Sequence, residues 1–460
     1  MFFSTVLVII REVFDMLKGS PKATNRWSIV ARKSLQHDRD LEALDDDIAE
    51  HGHENSHSVY DRLAEGRRDT ELDVVPQDTK LVEQNHVALQ VYPSSHSLRR
   101  MEFHSPSTAR AAMPKDLTFH ARFHQVWHHQ EIIGEGGDGV VHLYQLSDDH
   151  GMYVAVKVPR CCSAREDVEK EIINMRLIGK HENILELFFA SNEWYPYGPA
   201  MFIPYCELGS LIDYRNSWCV QQAWDGQPER VSEVTMWKLF RDMILALNFL
   251  HNELGIRYIH NDFKPANVLA IVPSDDIQCR KLPEEPTFKL SDFARLTPWP
   301  TPRGKPARRF DGTPEYAPPR HEQRAPVLPS ADIWGLGATL QYLALGINPV
   351  QSKKAFIRDR KAKGKPHPEL KDKSEWLSEH WRTRVPTVFR PLNVPVKVLQ
   401  TDYDLSCDLP DYQHYGACLG YWYAQLWKPV TTRPKASKLM TEAIPHMDDV
   451  VKRLKRERIK

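Results

Sequence analysis

The rhythm of hydrophobic and polar positions changes along the chain. The runs "VVHLYQL" (140–146) and "YVAVKV" (153–158) are rich in β-branched and aromatic residues, and "SDDHG" lies between them. Ser, Asp and Gly there mark a turn, so the two runs predict a β-hairpin. In "AREDVEKEIINMRLIGK" the apolar residues Val168, Ile172, Met175 and either Leu177 or Ile178 recur at helical spacing. "AMFIPY" and "TFKL" again read as strands. "SEVTMWKLFRDMILALNFLHNEL" puts Trp237, Phe240, Ile244, Leu247 and Leu250 on one stripe of a long helix, with Ser232 as its N-cap. Strands with one helix come first and mostly helices later. The predicted class is α+β, with two lobes and a cleft between them where a ligand site would lie.

Outside this region the pattern weakens. "MFFSTVLVII" at the N-terminus is about half the length that spans a bilayer and lacks a basic start, so it reads as a short buried or partner-binding helix with no membrane span. Residues 36–75 are acidic, charge-rich and sparse in apolar positions. Residues 1–75 are therefore expected to be an extension, partly helical or disordered, that a regulatory partner would engage. His51, His53 and His57 have no regular ligand spacing and read as solvated rather than metal-binding. Scattered Pro and Ser make 76–126 a linker.

Lysine plus arginine balances aspartate plus glutamate at 61 each, so net charge gives no reason to expect a nucleic-acid partner. Seven cysteines without a C-x-x-C pair suit neither a disulfide framework nor a zinc site. They predict a reducing compartment, cytoplasmic or nuclear.

The chemistry is concentrated in short motifs. "GEGGDGVV" fits G-x-G-x-x-G at Gly134, Gly136 and Gly139. Glycines let a backbone approach phosphates closely and adopt positive φ. A strand follows directly, so these glycines lie at a hairpin tip rather than before a helix, as in dinucleotide-binding folds. Lys157 ends "VAVK"; its stem is expected to be partly buried and its charge to need a partner. Glu171 on the next helix is the natural one, with Asp167 and Glu169 as alternatives.

"HNDFKPANVL" (260–269) follows the long helix, and "DF" recurs at Asp292-Phe293 after a strand. Asn267 and Asp292 offer the hard oxygen ligands that Mg²⁺ takes in small number. Asp262 can accept a hydroxyl proton, and Lys264 can neutralise a transferred phosphoryl group.

These motifs, in this order, resemble the eukaryotic protein kinase family over roughly residues 127–450. The resemblance implies a two-lobed fold: an N-lobe at 127–206 with an antiparallel sheet plus one helix, and a mainly helical C-lobe at 207–450. It implies ATP and Mg²⁺ as cofactors and a protein substrate. Gly134, Gly136 and Gly139 resemble the loop over the phosphates, and Lys157 with Glu171 the phosphate-binding pair. Asp262 resembles the catalytic base; Asn267 and Asp292 resemble the metal ligands. Ile203 resembles the gatekeeper, and the backbone of Pro204 and Cys206 would meet adenine, sandwiched by Val141, Ala155 and Leu269. Met175, Leu187, His260 and Phe293 would stack as a spine. "GTPEYAPP" resembles the end of the activation segment and "DIWGLG" the helix that anchors the catalytic loop. Lys264 and Thr313 resemble the Ser/Thr-specific members.

Three positions depart from the pattern. Asn261 replaces an Arg, Ala294 replaces a Gly, and Pro319 replaces the Glu expected to pair with Arg433. Either Glu322 substitutes as the partner of Arg433 or the local structure differs. The departures raise the alternative of a pseudokinase, a binding or scaffold module on the same fold. A small-molecule kinase would lack "GTPEYAP". Residues 351–385 form a basic insertion, read as a solvated loop rather than a docking surface for an acidic partner.

Overall fold

The computed structural model describes residues 118–459 apart from 148, 195, 197, 227–229, 274–280, 366–384, 406, 408 and 410–411. The N-terminal extension, most of the expected linker and the larger part of the basic insertion lie outside the described residues. No helix among the described residues is long and apolar enough to cross a membrane.

The first element is a helix, α1 (Phe119–Val126), capped by the Thr118 side chain. It occupies the end of the stretch read as linker. Phe119 and Phe123 are buried there, and they meet Phe202, Trp127, Tyr144 and Trp194 in one aromatic cluster. The expected hairpin follows. Strands β1 (Trp127–Glu135), β2 (Gly139–Leu146) and β3 (Asp149–Pro159) pair antiparallel in sequence order. Helix α2 (Arg165–Ile178) buries Val168, Ile172, Met175 and Ile178 and leaves Leu177 exposed, which settles the open choice at that turn. β4 (Phe189–Ser191) and β5 (Ala200–Pro204) complete a five-stranded sheet in the order β1-β2-β3-β5-β4.

Helices then dominate. α3 (Leu211–Trp224) starts on a reciprocal Ser210/Asp213 capping box. α4 (Glu233–Asn248) is capped by Ser232 as expected, and all five stripe residues of the prediction are buried. Two small antiparallel pairs lie beside it. β6 (Arg257–Ile259) pairs with β9 (Thr297–Trp299), and β7 (Val268–Ile271) pairs with β8 (Thr287–Leu290). Helices α5 (Ser330–Leu345), α6 (Lys353–Ala362), α7 (Ala417–Leu426) and α8 (Ile444–Ile459) follow. α5 is apolar all round and almost wholly buried, which makes it the post on which the loops of the site are hung. One hydrophobic core runs from Ala155 and Met175 in the first lobe to Leu419 and Met447 in the second.

Candidate active site

The glycine motif is the β1-β2 tip, closed by a hydrogen bond from Gly136 N to Gly139 O at 2.9 Å. None of its three glycines has positive φ. The expectation of left-handed backbone there is thus corrected; close approach is the reason that survives. A Cβ on Gly139 would lie 2.6 Å from Val158 O and 3.4 Å from Lys157 Cε, so only glycine lets the tip lie over the lysine. Around Gly137 there is open space, and a Cβ on Gly136 would meet only Gly139 O, at 4.0 Å.

Lys157 Nζ meets Glu171 Oε2 at 2.5 Å, joining β3 to α2. Asp167 and Glu169 are instead taken by Lys170 and Arg165 on the helix surface. Burial works against the lysine's charge, but Glu171 and then Asp292 outweigh it and hold the ammonium above the ordinary lysine pKa.

The catalytic-loop motif hangs from Asp332 of α5. Its Oδ1 accepts from Asn261 N at 2.9 Å, and its Oδ2 accepts from His260 N at 2.8 Å. Asn261 (φ 67°) and Asp292 (φ 62°) both lie in the left-handed region. Asn and Asp are the side chains that tolerate it best after glycine. His260 packs edge-on against Phe293, with ring centroids 5.3 Å apart. Met175 is buried and Leu187 partly buried in the same core.

Asp262 is the most heavily bonded group. Its Oδ1 accepts from Thr313 N at 2.7 Å and from Thr313 Oγ1 at 2.8 Å, and its Oδ2 accepts from Lys264 Nζ at 2.9 Å. Burial alone would raise its pKa; the Lys264 charge and these hydrogen bonds more than offset that and hold the carboxyl below its ordinary range. Asp262 is therefore ionised at neutral pH and already aligned on a hydroxyl, that of Thr313. Asn267 Nδ2 donates to Asp262 O at 2.9 Å, which leaves the side-chain carbonyl of Asn267 without a hydrogen bond among the described residues. Asp292 has no hydrogen bond or ion pair there either.

Among the described residues no three His, Cys, Asp or Glu side chains converge as a metal site. Two oxygen donors, Asn267 and Asp292, fit a cation that keeps most of its shell as phosphate oxygens and water, as Mg²⁺ does, rather than one held in an all-protein cage.

Among the residues expected to meet adenine, Ala155 pairs with Ile203, and Pro204 pairs with Val154, across β3 and β5. Ile203 and Cys206 are buried, and Val141 and Leu269 are half-buried against the same core as Ala155. Pro204 has no N–H, so only its carbonyl can face a ligand there.

Two departures acquire physical roles. Asn261 Nδ2 donates to Thr297 Oγ1, and Asn261 Oδ1 accepts from Asp311 N, each at 3.4 Å, so the amide bridges both ends of the activation segment. Arg433 forms the fork expected for an arginine–carboxylate pair, but with Glu322, at 2.8 and 2.9 Å. The substitution proposed from the sequence is what the structure contains. The direct bond between Thr313 and Asp262 was not foreseen, nor was the Asn261 bridge. The left-handed preference of Asn was the one sequence signal pointing to that bridge.

The protein kinase domain family model matches residues 127–388, more than half of the chain. The chain belongs to the protein kinase domain family. Among individual proteins, the kinase domain is 30% identical over 185 residues to the mitosis inhibitor protein kinase wee1 of Schizosaccharomyces pombe, covering 40% of this chain and 18% of that protein. It is 27% identical over 253 residues to the serine/threonine-protein kinase pakE of Dictyostelium discoideum, covering 54% of this chain and 24% of that protein. It is 27% identical over 257 residues to the maternal embryonic leucine zipper kinase of Danio rerio, covering 54% of this chain and 33% of that protein. The kinase domain thus spans a third or less of the length of each of these relatives.

Proposed function

We propose that the protein is an ATP- and Mg²⁺-dependent protein serine/threonine kinase that transfers the γ-phosphoryl group to a Ser or Thr hydroxyl. The observation that carries this reading is the arrangement at Asp262. An ionised carboxylate, a lysine and a threonine hydroxyl lie within 3 Å of one another, and Lys157–Glu171 is formed between β3 and α2 in the sheet lobe. Asp262 is placed to take the proton of an acceptor hydroxyl. Lys264, bonded to both Asp262 and Thr313, brings positive charge to the point where a phosphoryl group would pass. Lys157 would hold phosphate oxygens, and Asn267 and Asp292 would hold Mg²⁺. The cation, when bound, neutralises phosphate charge. Ser/Thr acceptors are favoured by Lys264 together with Thr313, and the serine/threonine-protein kinase among the relatives agrees with that choice.

The pseudokinase alternative rested on Asn261, Ala294 and Pro319. The first and third of these positions are compensated by the Asn261 bridge and the Glu322–Arg433 fork. The test is transfer from labelled ATP with Mg²⁺ to a panel of Ser-, Thr- and Tyr-containing proteins, with Asp262→Asn alongside. Transfer to Ser and Thr by the wild type, lost in Asp262→Asn while nucleotide still raises Tm, supports the proposal. Transfer by Asp262→Asn near the wild-type rate, or nucleotide binding without transfer by either protein, overturns it.

A further inference from the structure

Between β9 and Thr313 the chain carries Arg303, Lys305, Arg308 and Arg309. All four are exposed, and none has a side-chain hydrogen bond or ion pair among the described residues. The acids of the same segment are placed otherwise. Asp311 lies 4.0 Å from Arg295, and beyond Thr313 Glu315 is half-buried and Glu322 is committed to Arg433. The fold itself gains nothing from four unpaired cations crowded on one loop, since like charges repel.

Their position is determined by backbone contacts. Val327 N donates to Arg308 O at 2.9 Å, Asp311 N donates to Asn261 Oδ1, and Thr313 is tied to Asp262. Arg309 is therefore four residues from a residue in contact with the proposed base, a reach of at most about 14 Å along the chain. A second basic element is tied to the same segment from its far end. Tyr316 Oη donates to Asn348 Oδ1 at 3.1 Å, and Thr387 Oγ1 donates to Ala317 O. The described start of the basic insertion, read from the sequence as a solvated loop, is instead helix α6 with Ala355, Phe356 and Ile357 buried; its Lys354 and Arg358 follow Asn348 closely in the chain and are exposed without a described partner.

We propose that this surface selects acceptor peptides whose residues flanking the Ser or Thr are anionic. Arg303, Lys305, Arg308 and Arg309 are the specificity-determining residues, and Lys354 and Arg358 extend the field. The inference rests on the kinase reading of Asp262 for its position, but not for the binding itself. The anionic groups can be Asp and Glu or phosphorylated side chains. Either would form charge-assisted contacts with the guanidinium groups, and bidentate ones are open to phosphate and carboxylate alike.

The experiment uses the full chain and fluorescently labelled serine peptides of one length, flanked by Glu, by phosphoserine, by Gln or by Lys. Binding is read by anisotropy without nucleotide, and transfer is read with Mg·ATP. The wild type is expected to bind and phosphorylate the Glu and phosphoserine peptides at least about ten-fold better than the Gln peptide, about 1.4 kcal/mol. That margin should shrink between about 0.05 and about 0.3 M salt. The variant with Arg303, Lys305, Arg308 and Arg309 each changed to Gln should lose the margin through KM, with kcat on the Gln peptide unchanged. Thr301→Ala should keep it, which excludes a phosphate on the loop itself as the anion that matters. The ratio of Glu to phosphoserine affinity identifies the preferred source of charge.

Equal use of the Gln or Lys peptides by the wild type overturns the proposal. So does a variant that weakens all four peptides alike, or an RNA oligonucleotide that binds the same residues more tightly than any peptide. If no peptide is phosphorylated but anionic ones bind in the salt- and variant-dependent way described, the kinase reading fails and the surface assignment stands.

Discussion

Two buried ion pairs divide the work of this molecule, and they are finished differently. In the helical lobe, Arg433 has no exposed side-chain area. Its guanidinium is satisfied by both oxygens of Glu322 and by the carbonyls of Ser330 and Lys428, and it lies 4.9 Å from the centre of the Trp334 ring. In the sheet lobe, Lys157 makes one contact, with Glu171, and the side chain retains 14% exposure beneath the glycine tip. A planar fork that uses most of its donors is a staple. A compact ammonium with donors left over, held charged by Glu171 and Asp292, is poised for a ligand.

The contrast can be tested by replacing both partners of each pair with apolar residues of similar volume, which often leaves stability unchanged when a pair serves packing alone. Lys157→Met/Glu171→Leu should keep Tm close to wild type, yet lose about three orders of magnitude in turnover, about 4 kcal/mol. Turnover within ten-fold of wild type would make the two pairs equivalent and break the comparison. Glu322→Ala, which strands a buried cation, should cost about 3–5 kcal/mol in denaturant unfolding. Glu322→Leu/Arg433→Met should recover most of that, and turnover with it. Smaller is the effect of Asn261→Ala, which loses two hydrogen bonds and places a non-glycine residue with no compensating side chain at positive φ. About 1–3 kcal/mol of stability should go, together with order in the activation segment seen by amide exchange.

Charge at Asp262 sharpens the comparison through pH. Its pKa is depressed, so its carboxylate contributes stability that is complete above the unfolded value of about 3.9 and is lost as pH falls through the lower folded value. The acid limb of kcat attributable to Asp262 should therefore lie below the ordinary carboxylate range. Removing the cation in Lys264→Met should move that limb upward in a pH–rate profile; an unmoved limb would assign it to another group. The smallest expected effect is on phosphorylation control. Thr297 is buried and hydrogen-bonded to Asn261, so Thr301 is the exposed threonine of the segment. The resemblance to the kinase family expects an arginine at position 261, a cation that a phosphate on the segment would neutralise; with the Asn261 amide bridging the segment instead, Thr301→Ala and fully dephosphorylated enzyme should both keep turnover within about two-fold. A ten-fold loss, about 1.4 kcal/mol, would show that another cation needs a phosphate there.

What the chain's linear pattern could determine was whatever depends on near neighbours. The period of apolar positions is local, so the hairpin, α2 and α4 with its Ser232 cap were legible directly. Motif order was local too: the spacing of Asp262, Lys264 and Asn267 along one loop, and the resemblance to the kinase family, pointed to these residues together with Lys157 and Asp292. Glu171 was chosen over Asp167 and Glu169 on position alone. Only packing could decide it, since the buried face of α2 meets β3 and the other two acids face water. The same reason hid α1. Its polar sequence, with three histidine or arginine residues among eight, reads as linker until an aromatic cluster from four other elements and loops closes over Phe119 and Phe123. Thr313 on Asp262, the Asn261 bridge and Glu322 on Arg433 span 51, up to 50 and 111 residues of chain, respectively. No periodicity reaches so far. Those contacts exist because an almost wholly buried α5 carries Asp332 and gathers the loops around it, and that is a property of the tertiary structure alone.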